Sequence, residues 1–533
     1  MAAIPSSRSP TRSCRGEQIL QSPSRCCGAG RPRQNAPHKQ RQVASKATGI
    51  LEAIPTQEHQ QQQYVWQGDD EFTNLNDRHD AAPVPLPPIK SPKRAVLVRH
   101  GQSTWNAAGR VQGSSNLAVL TSKGIAQAET THELLRPERF DVLYYSPLAR
   151  ASQTATIVWG DRKGRIKELP SLREIDLYDF QGLLKHEGKE RFGEQYKKWQ
   201  SAAASFEIEG HAPVRELWHR ASLAWTQLLE DATNSSSMLI VAHNAVNQAM
   251  VATALGLPPT YFRRMLQSNA ATTVIDLQPN GDKPPLATMN RLNQAPGRPF
   301  IPTADVERDI PRIVLVRNGA TVSSEDGIMM GSGNDPLTTL GEIQAQKTGE
   351  VLMDLKVDIL MTSPQDRAYH TAKDIAKLQS LAGARAPVLQ PNEGLRSRYL
   401  GNWEGRLAAE VRGTPSPPDA ESLEDVMRRA QSVWDEAITA ATDGGPHTVV
   451  ISTHSTIVAA MLCICLELPS SRMSTFRTDP GSISILELPF SSAGGKGVVV
   501  RCMNYTAHLG RWAVPITRDD MDSEALCGIE GCF

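Results

Sequence analysis

Short apolar runs alternate along the chain with longer segments in which apolar residues recur at helical spacing. In the first half, continuous apolar runs typical of strands buried on both faces cover residues 94–98, 142–145 and 238–241. Amphipathic periodicity predicts helices that begin at Thr121 and cover residues 214–231 and 244–255. The first of these helices is expected to bury Ile125 and Ala128. Ser146-Pro147 has the composition of an N-cap and first-turn pair, so another helix is predicted directly after the second strand.

The second half repeats this alternation. Its predicted strands cover residues 313–316, 357–361 and 448–452, and its predicted helices cover residues 339–354, 365–381, 422–441 and 456–467. Strand-helix alternation predicts the α/β class, with two tandem three-layer α/β/α domains around mostly parallel central sheets. In such sheets ligands bind at the carboxyl ends of the strands, so polar residues that follow the strands are the candidates for chemistry.

The repeat also holds at the level of individual residues. The stretch at 97–101 recurs at 315–319, with His100 replaced by Asn318. Three further blocks return in the same order, namely 120–128 as 337–345, 146–155 as 363–372, and 241–244 as 452–455. Four blocks in one order indicate two copies of a single fold, of which only the first retains the histidine.

Composition excludes several classes of partner. The 533 residues carry 57 basic and 57 acidic side chains, so no bulk field favours nucleic acid or a membrane surface. The longest apolar stretch, residues 459–468, is too short to span a bilayer. We therefore expect a soluble protein that binds neither nucleic acid nor membrane. Nothing in the sequence specifies an oligomeric state.

The N-terminal segment differs from the rest. Residues 1–50 are rich in Arg and Ser and contain Glu17 as their only acid, which is typical of an organelle transit peptide; a disordered basic tail is the alternative. Residues 51–93, with a glutamine run and a proline-rich end, are predicted to be a disordered linker. The expected domains then cover residues 94–290 and 312–510, separated by a linker at 291–311 and followed by a tail at 511–533.

The eight cysteines predict neither a metal site nor a disulfide scaffold. No pair has metal-ligand spacing with accompanying histidines. Cys463 and Cys465 are two residues apart on a predicted helix and do not face each other. Cys527 and Cys532 could close a small loop, but unpaired thiols are the favoured interpretation.

The residues at the strand ends suit phosphate-ester hydrolysis. Arg99 and Arg150 can hold phosphate oxygens, because a guanidinium donates to two oxygens at once and keeps its charge. His100 can attack phosphorus, and His243 can donate to a phosphate oxygen. Glu174 is the chosen proton donor to the leaving group, with Asp176 as the alternative. This chemistry requires no metal and no cofactor.

These residues resemble the motifs of the histidine phosphatase (phosphoglycerate mutase-like) superfamily. The resemblance rests on residues 99–106, on Arg150 within residues 146–155, on residues 172–174 and on His243. It implies a phosphohistidine intermediate at His100, Glu174 as proton donor and acceptor, and a phosphate pocket formed by Arg99, Arg150, His243 and Asn106. Asn106 could instead merely cap its turn. For a tandem protein with such a presequence, the resemblance implies a small sugar or sugar-acid phosphate substrate in the chloroplast stroma.

The second copy is predicted to be catalytically silent. Asn318 replaces the nucleophile, and alignment of residues 172–182 with 395–405 places Ser397 where the acid stands. Arg317, Arg367 and His454 remain. This predicted second anion site either binds a phosphorylated effector or is a relic retained for packing, and the relic is slightly favoured.

Two other functions stay open from the residues alone. One is a phosphoglycerate mutase-type enzyme or another sugar-bisphosphate phosphatase, although residues 177–237 hold little beyond two predicted helices. The other is a phosphate-sensing regulatory protein. The chain departs from the family pattern at residues 112–116, at Tyr178 and at Gln181. These departures border the expected substrate side, so they concern the substrate rather than the catalytic residues.

Overall fold

A computed structural model describes residues 82–233, 235–295, 310–353, 355–383, 386–411, 413–489 and 497–513. All of them belong to one compact unit, His59–Phe533. The predicted transit peptide, most of both predicted linkers and the tail beyond residue 513 lie outside the described residues, as do Cys14, Cys26, Cys27, Cys527 and Cys532. Within the described ranges no helix is both long enough and apolar enough to cross a membrane.

The first half of the structure alternates strands with helices. The strands are β1 (Lys93–Arg99), β2 (Val142–Tyr145), β3 (Arg165–Glu168), β4 (Ser237–Ala242), β5 (Thr272–Asn280) and β6 (Lys283–Gln294). The helices are α1 (Thr104–Ala107), α2 (Ser122–Leu135), α3 (Ala149–Trp159), α4 (Lys185–Ser201), α5 (Pro213–Asp231) and α6 (Asn244–Ala254). Short 3-10 turns lie at Pro170–Leu172, Tyr178–Phe180, Ala203–Ser205 and Pro259–Tyr261.

The second half repeats the order. Its strands are β7 (Arg312–Arg317), β8 (Ile359–Thr362), β9 (Leu389–Pro391), β10 (Thr448–Thr453), β11 (Ile483–Glu487) and β12 (Val499–Tyr505). Its helices are α7 (Val322–Asp326), α8 (Thr339–Leu352), α9 (Asp366–Leu381), α10 (Ala408–Val411), α11 (Leu423–Thr442) and α12 (Ser455–Cys465). Its 3-10 turns lie at Glu393–Leu395, Gly401–Trp403, Ser470–Thr475 and Ala507–Trp512.

A single sheet runs through both halves in the order β3-β2-β4-β1-β5-β6-β12-β11-β7-β10-β8-β9. In each half four neighbouring strands are parallel, β3-β2-β4-β1 in the first and β9-β8-β10-β7 in the second. The remaining two strands of each half are antiparallel, and the halves meet where β6 pairs with β12. The predicted α/β class with mostly parallel central sheets is confirmed. In each half, two antiparallel strands continue the sheet beyond the four parallel ones.

The local predictions were mostly confirmed, with two corrections. Ile125 is 42% exposed, because α2 instead buries Thr131, whose hydroxyl donates to the carbonyl of Ala270 at 2.7 Å. The prediction that Ser146 caps a helix was wrong. Helix α3 begins at Ala149 with Leu148 as its N-cap, because the Ser146 side chain faces the cluster at the strand ends.

A pair of glycines brings the turn after β1 against the start of α2. A Cβ on Gly101 would lie 2.3 Å from the carbonyl oxygen of Gly124, and a Cβ on Gly124 would lie 2.0 Å from that of Gln102. The second half has the same contact, since a Cβ on Gly319 would lie 2.2 Å from the carbonyl oxygen of Gly341. Larger residues would push apart the turn that carries His100 or Asn318.

Candidate active site

The parallel strands bring the predicted residues of the first half to one edge of the sheet. Arg99 is the last residue of β1, His100 follows it, and His243 follows β4, which pairs with β1. Strand β2 lies on the other side of β4, and Arg150 is in the first turn of the helix after it. The rings of His100 and His243 lie edge to face with their centroids 5.1 Å apart. Residues that are up to 144 positions apart therefore meet in one cluster.

His100 is held in one tautomer. Its side chain is buried, and Nδ1 lies 2.7 Å from the carbonyl oxygen of Gly101. A carbonyl can only accept, so Nδ1 carries the proton and Nε2 keeps its lone pair. Burial, together with the charges of Arg150 and Arg99, holds the pKa of His100 well below its usual value. The imidazole is therefore neutral at neutral pH, and Nε2 is available as a nucleophile.

Arg99 and Arg150 supply fixed positive charge beside this ring. Arg99 Nη1 donates to the carbonyl of Gln267 at 2.7 Å, and Arg150 donates to the carbonyls of Ser115 at 2.7 Å and Gly113 at 2.9 Å. Burial lowers the pKa of each guanidinium to about 10, so both stay protonated at neutral pH. The buried Nε atoms of both arginines have no hydrogen-bond partner among the described residues. Because both arginines lie beside the His100 ring, a bound anion is one group that could satisfy these donors.

His243 is completely buried at the N-cap of α6. Its Nε2 lies 2.7 Å from Ser146 Oγ, and its Nδ1 has no partner among the described residues. Burial and the charge of Arg150 lower the pKa of His243 well below its usual value. The ring is neutral, and one of its nitrogens remains open toward the arginines.

Glu174 binds the N-terminus of α6. Its Oε1 accepts from the backbone N–H groups of Ile175 at 2.9 Å and of Ala245 and Val246 at 3.1 Å, and its Oε2 also accepts from Ala245 at 3.1 Å. A carboxylate at a helix N-terminus is favoured by the exposed N–H groups and the helix dipole. The same helix therefore positions both His243 and Glu174.

Asp176, the alternative acid, is engaged elsewhere. Its Oδ1 accepts from Ser114 Oγ at 2.8 Å, within the loop whose carbonyls hold Arg150. Gln181 Oε1 accepts from the Ser114 backbone N–H at 2.6 Å and supports the same loop. The second half retains this last contact with a different side chain, since Glu404 Oε1 accepts from the Ser332 N–H at 2.7 Å.

Asn106 has a capping role in the structure. Its Oδ1 accepts from the backbone N–H of Ser103 at 3.2 Å, and Ser103 Oγ accepts from the Asn106 N–H at 3.1 Å. Asn269 Nδ2 donates to the same Oδ1 at 3.2 Å and to the carbonyl of His100 at 3.0 Å. Asn106 thus stabilises the turn beside His100, whereas its proposed contact with phosphate remains a prediction.

Tyr178 is an unusual departure from the family pattern. It has a φ of +44°, in the left-handed region where side chains other than glycine are strained, and Gly401 occupies the aligned position with a φ of +58°. The Tyr178 ring stacks on His211 with centroids 4.3 Å apart, and its hydroxyl donates to Glu216 at 3.2 Å. These contacts hold the tyrosine beside the segment that carries Glu174.

Two functional residues were missed from the sequence. Ser146 was assigned to a cap, but it is the partner of His243. Arg220 on α5 donates to the carbonyls of Arg173 at 2.9 Å and Glu174 at 2.8 Å, and thereby holds the segment that presents the acid. The repeat contained a signal for it, because Arg429 aligns with Arg220 and donates to the carbonyls of Gly394 and Arg396 in the second half.

The second half brings together Arg317, Asn318, Arg367 and His454, but with different contacts. Asn318 Nδ2 donates to the carbonyl of Gly319 at 2.8 Å, as His100 does to Gly101. Arg367 Nε donates to His454 Nδ1 at 3.2 Å, so the two atoms that lack partners in the first half here satisfy each other. Ser397, which aligns with Glu174, has no carboxyl group. Its backbone N–H donates to Gln365 Oε1 at 2.7 Å.

Comparison with known sequences assigns the chain to a class. The profile of the Histidine phosphatase superfamily (branch 1) matches residues 95–290 and 313–501, which together cover more than half of the chain. The protein therefore belongs to the histidine phosphatase superfamily, and the predicted family resemblance is confirmed.

Individual relatives narrow the comparison. The chain is 44% identical over 463 residues to 2-carboxy-D-arabinitol-1-phosphatase from Triticum aestivum, covering 84% of this chain and 92% of the relative. It is 40% identical over 446 residues to a probable 2-carboxy-D-arabinitol-1-phosphatase from Arabidopsis thaliana, covering 81% and 91%. Among solved structures, a putative alpha-ribazole-5'-P phosphatase from Escherichia coli is 25% identical with a TM-score of 0.35, covering 38% of this chain and 97% of that one. The chain is thus similar over most of its length to two plant proteins of this name.

Proposed function

We propose that this chain hydrolyses the phosphate monoester of a small sugar acid, 2-carboxy-D-arabinitol 1-phosphate, through a phosphohistidine at His100. The observation that carries the proposal is the neutral His100, whose Nε2 lone pair lies in a cluster with the buried Arg150 and the partly buried Arg99. The partnerless Nε atoms of Arg99 and Arg150 and the partnerless Nδ1 of His243 support a ligand with several acceptor oxygens. A phosphate group offers such oxygens.

The proposed reaction has two steps. His100 Nε2 attacks phosphorus and forms the N–P bond while the bond to the sugar oxygen breaks, and Glu174 gives its proton to that oxygen. Water then attacks the phosphohistidine, Glu174 takes the proton from the water, and the N–P bond breaks to release inorganic phosphate. Arg99 and Arg150 balance the charge on the non-bridging oxygens in both steps, and His243 binds one of these oxygens. No step of this mechanism requires a metal.

The proposed substrate is the one that appears in the names of the two plant relatives. Their alignments with this chain cover 92% and 91% of the relatives' own length. The alternative of a mutase-type reaction predicts that phosphate is transferred to another position of the substrate rather than released. Between Glu174 and His243 the described residues form α4, α5, β4 and short 3-10 turns.

Initial rates with the purified full chain test the proposal. We expect release of inorganic phosphate from 2-carboxy-D-arabinitol 1-phosphate with a higher kcat/KM than from sugar phosphates that lack the carboxylate. Incubation with 3-phosphoglycerate separates the alternative, because a mutase would yield the 2-phosphate isomer. Absence of phosphate release from every ester tested would overturn the proposal.

For the second half we propose no catalysis by this mechanism. Arg367 Nε donates to His454 Nδ1, so Nε is occupied and Nδ1 is an acceptor that cannot donate to an anion, which supports a relic over an effector site. We further propose that residues 1–50 direct the protein to the chloroplast stroma and that the two domains cover residues 94–290 and 312–510. Fusion of residues 1–50 to a fluorescent protein tests the localisation.

A further inference from the structure

A hydrogen-bond chain leads from Arg99 to the junction between the two halves. Arg99 Nη1 donates to the carbonyl of Gln267 at 2.7 Å, in the turn before β5. The next residue, Ser268, donates its backbone N–H to Asn293 Oδ1 at 2.6 Å. Asn293 lies on β6 and also donates its own N–H to Thr273 Oγ1 at 3.0 Å. Asn293 therefore holds the turn that orients Arg99.

The same asparagine reaches the other half of the protein. Asn293 Nδ2 donates to the carbonyl of Arg501 on β12 at 2.6 Å and to Ser268 Oγ at 3.2 Å. Asn293 is 3% exposed and has a φ of +56°, which asparagine tolerates better than most residues. A strained, buried amide with every polar atom engaged indicates a position that is closely constrained.

The second half contains the equivalent arrangement. Asn504 on β12 has a φ of +49°, and its Oδ1 accepts from the Asp479 N–H at 2.6 Å. Thr478, the residue before Asp479, accepts through its carbonyl from Arg317. Asn504 Nδ2 crosses the junction to the carbonyl of Asn290 on β6 at 2.9 Å. Each asparagine thus supports, in its own half, the segment whose carbonyl accepts from the arginine. Each also donates across the junction to the residue three positions before the other asparagine.

We propose that Asn293 is a positioning residue for the phosphate-binding Arg99, and that the silent second half acts through it as a structural part of the active site. This inference rests on the proposed function only in assigning phosphate to Arg99. Gln267 and Ser268 lie outside the strands and helices, between backbone hydrogen bonds from the Leu266 N–H to the Val500 carbonyl at 3.0 Å and from the Ala271 N–H to the Ser268 carbonyl at 3.1 Å. Asn293 adds the side-chain contacts at Ser268 itself. Strand β12 supplies the fixed carbonyl that sets the position of the asparagine.

The pseudo-symmetry provides a matched control. Asn293→Gly and Asn504→Gly each remove one amide that crosses the junction, and glycine accepts the positive φ at both positions. Asn504→Gly also removes a hydrogen bond from Nδ2 to the buried Asp479 carboxylate at 2.9 Å, so it should lose at least as much stability as Asn293→Gly, measured as the midpoint of urea unfolding. Only Asn293→Gly should weaken the binding of inorganic phosphate, measured by isothermal titration calorimetry, by about tenfold, as expected when one charged hydrogen bond is weakened. With 4-nitrophenyl phosphate, KM should rise more than kcat falls.

A double-mutant cycle tests whether the effect passes through Arg99. In an Arg99→Ala background, Asn293→Gly should cause no further loss of phosphate affinity. If Asn293→Gly does not fold, Asn293→Asp keeps the acceptor for the Ser268 N–H and loses the Nδ2 donor to Arg501 and to Ser268 Oγ. It should weaken phosphate binding, whereas Asn504→Gly should not.

Equal phosphate affinities in the two glycine variants, or an undiminished Asn293→Gly effect without Arg99, would overturn the inference. Failure of the wild type to bind phosphate would also overturn it. A wild type that binds phosphate and hydrolyses no ester would refute the proposed function alone, because the calorimetric comparison requires no turnover.

Discussion

Substitution of Glu174 by glutamine separates proton transfer from structural support. In Glu174→Gln the amide oxygen can occupy the position of Oε1, which accepts all three backbone N–H groups of Ile175, Ala245 and Val246. Only the second contact to Ala245, made by Oε2, is lost. The structural cost should therefore be about 1 kcal/mol, the net value of one hydrogen bond.

The catalytic cost should be much larger and should depend on the leaving group. A general acid contributes roughly 10²- to 10⁴-fold, equivalent to about 3–5 kcal/mol of barrier. A sugar alkoxide needs the proton, whereas nitrophenolate leaves largely without it. We therefore expect the rate of His100 phosphorylation by the sugar-acid phosphate to fall by that factor in Glu174→Gln, and the rate of phosphorylation by 4-nitrophenyl phosphate to fall by about tenfold or less.

Rapid-quench measurement of the single-turnover phosphorylation rate with both substrates provides the assay, with urea unfolding of the same variants as a check on structure. Asp176→Asn is the matched control, because Asp176 accepts from Ser114 at 2.8 Å and its amide would retain that acceptor. Equal losses on both substrates in Glu174→Gln would refute its role as the acid. A leaving-group-dependent loss in Asp176→Asn would assign the role to Asp176.

Two further predictions concern the second half. Burial lowers the pKa of His454 well below its usual value, so the unfolded chain takes up a proton that the folded chain does not, and stability falls as pH drops below about 6.5. His454→Gln should reduce that slope, measured by urea unfolding between about pH 6 and pH 5, by about 1.4 kcal/mol per pH unit; an unchanged slope would contradict the burial of a neutral His454. In a His100→Ala protein, Asn318→His with Ser397→Glu should restore some hydrolysis of 4-nitrophenyl phosphate, whereas activity in His100→Ala alone would contradict a silent second half.

The sequence predicted the parallel strands β1, β2 and β4 and their counterparts β7, β8 and β10, but neither the parallel edge strands β3 and β9 nor the antiparallel strands. Strands β1 and β4 are continuous apolar runs, because helices cover both faces of the sheet there. Strand β6 instead contains Asn290, Arg291, Asn293 and Gln294, all of which are buried. Their polar groups bond both within the first half and across the junction, as when Asn290 donates to Asp276 at 2.8 Å and Arg291 donates to Asp479 at 2.9 Å. A strand buried by polar contacts across a junction lacks the hydrophobic pattern that would predict it.

The sequence predicted those residues of the site whose side-chain type alone indicates their chemistry. Arg99, His100 and His243 follow strands, and parallel strands place their carboxyl ends together. Ser146 was misassigned because a serine before a helix usually caps it. Here its Oγ instead hydrogen-bonds with His243 Nε2. The carbonyls that hold Arg150 belong to the backbone and have no signature in the sequence.

The central claim is that His100 carries the phosphoryl group during turnover. Full-length protein mixed with radiolabelled phosphate ester and quenched within one turnover in alkali, where phosphohistidine survives, tests it most directly. The account predicts an acid-labile label on the peptide that contains His100, found in the wild type and absent from His100→Ala. Its amount should rise in Glu174→Gln with 4-nitrophenyl phosphate, because breakdown by water then lacks its base. Label on another residue, or label retained in His100→Ala, would contradict the account.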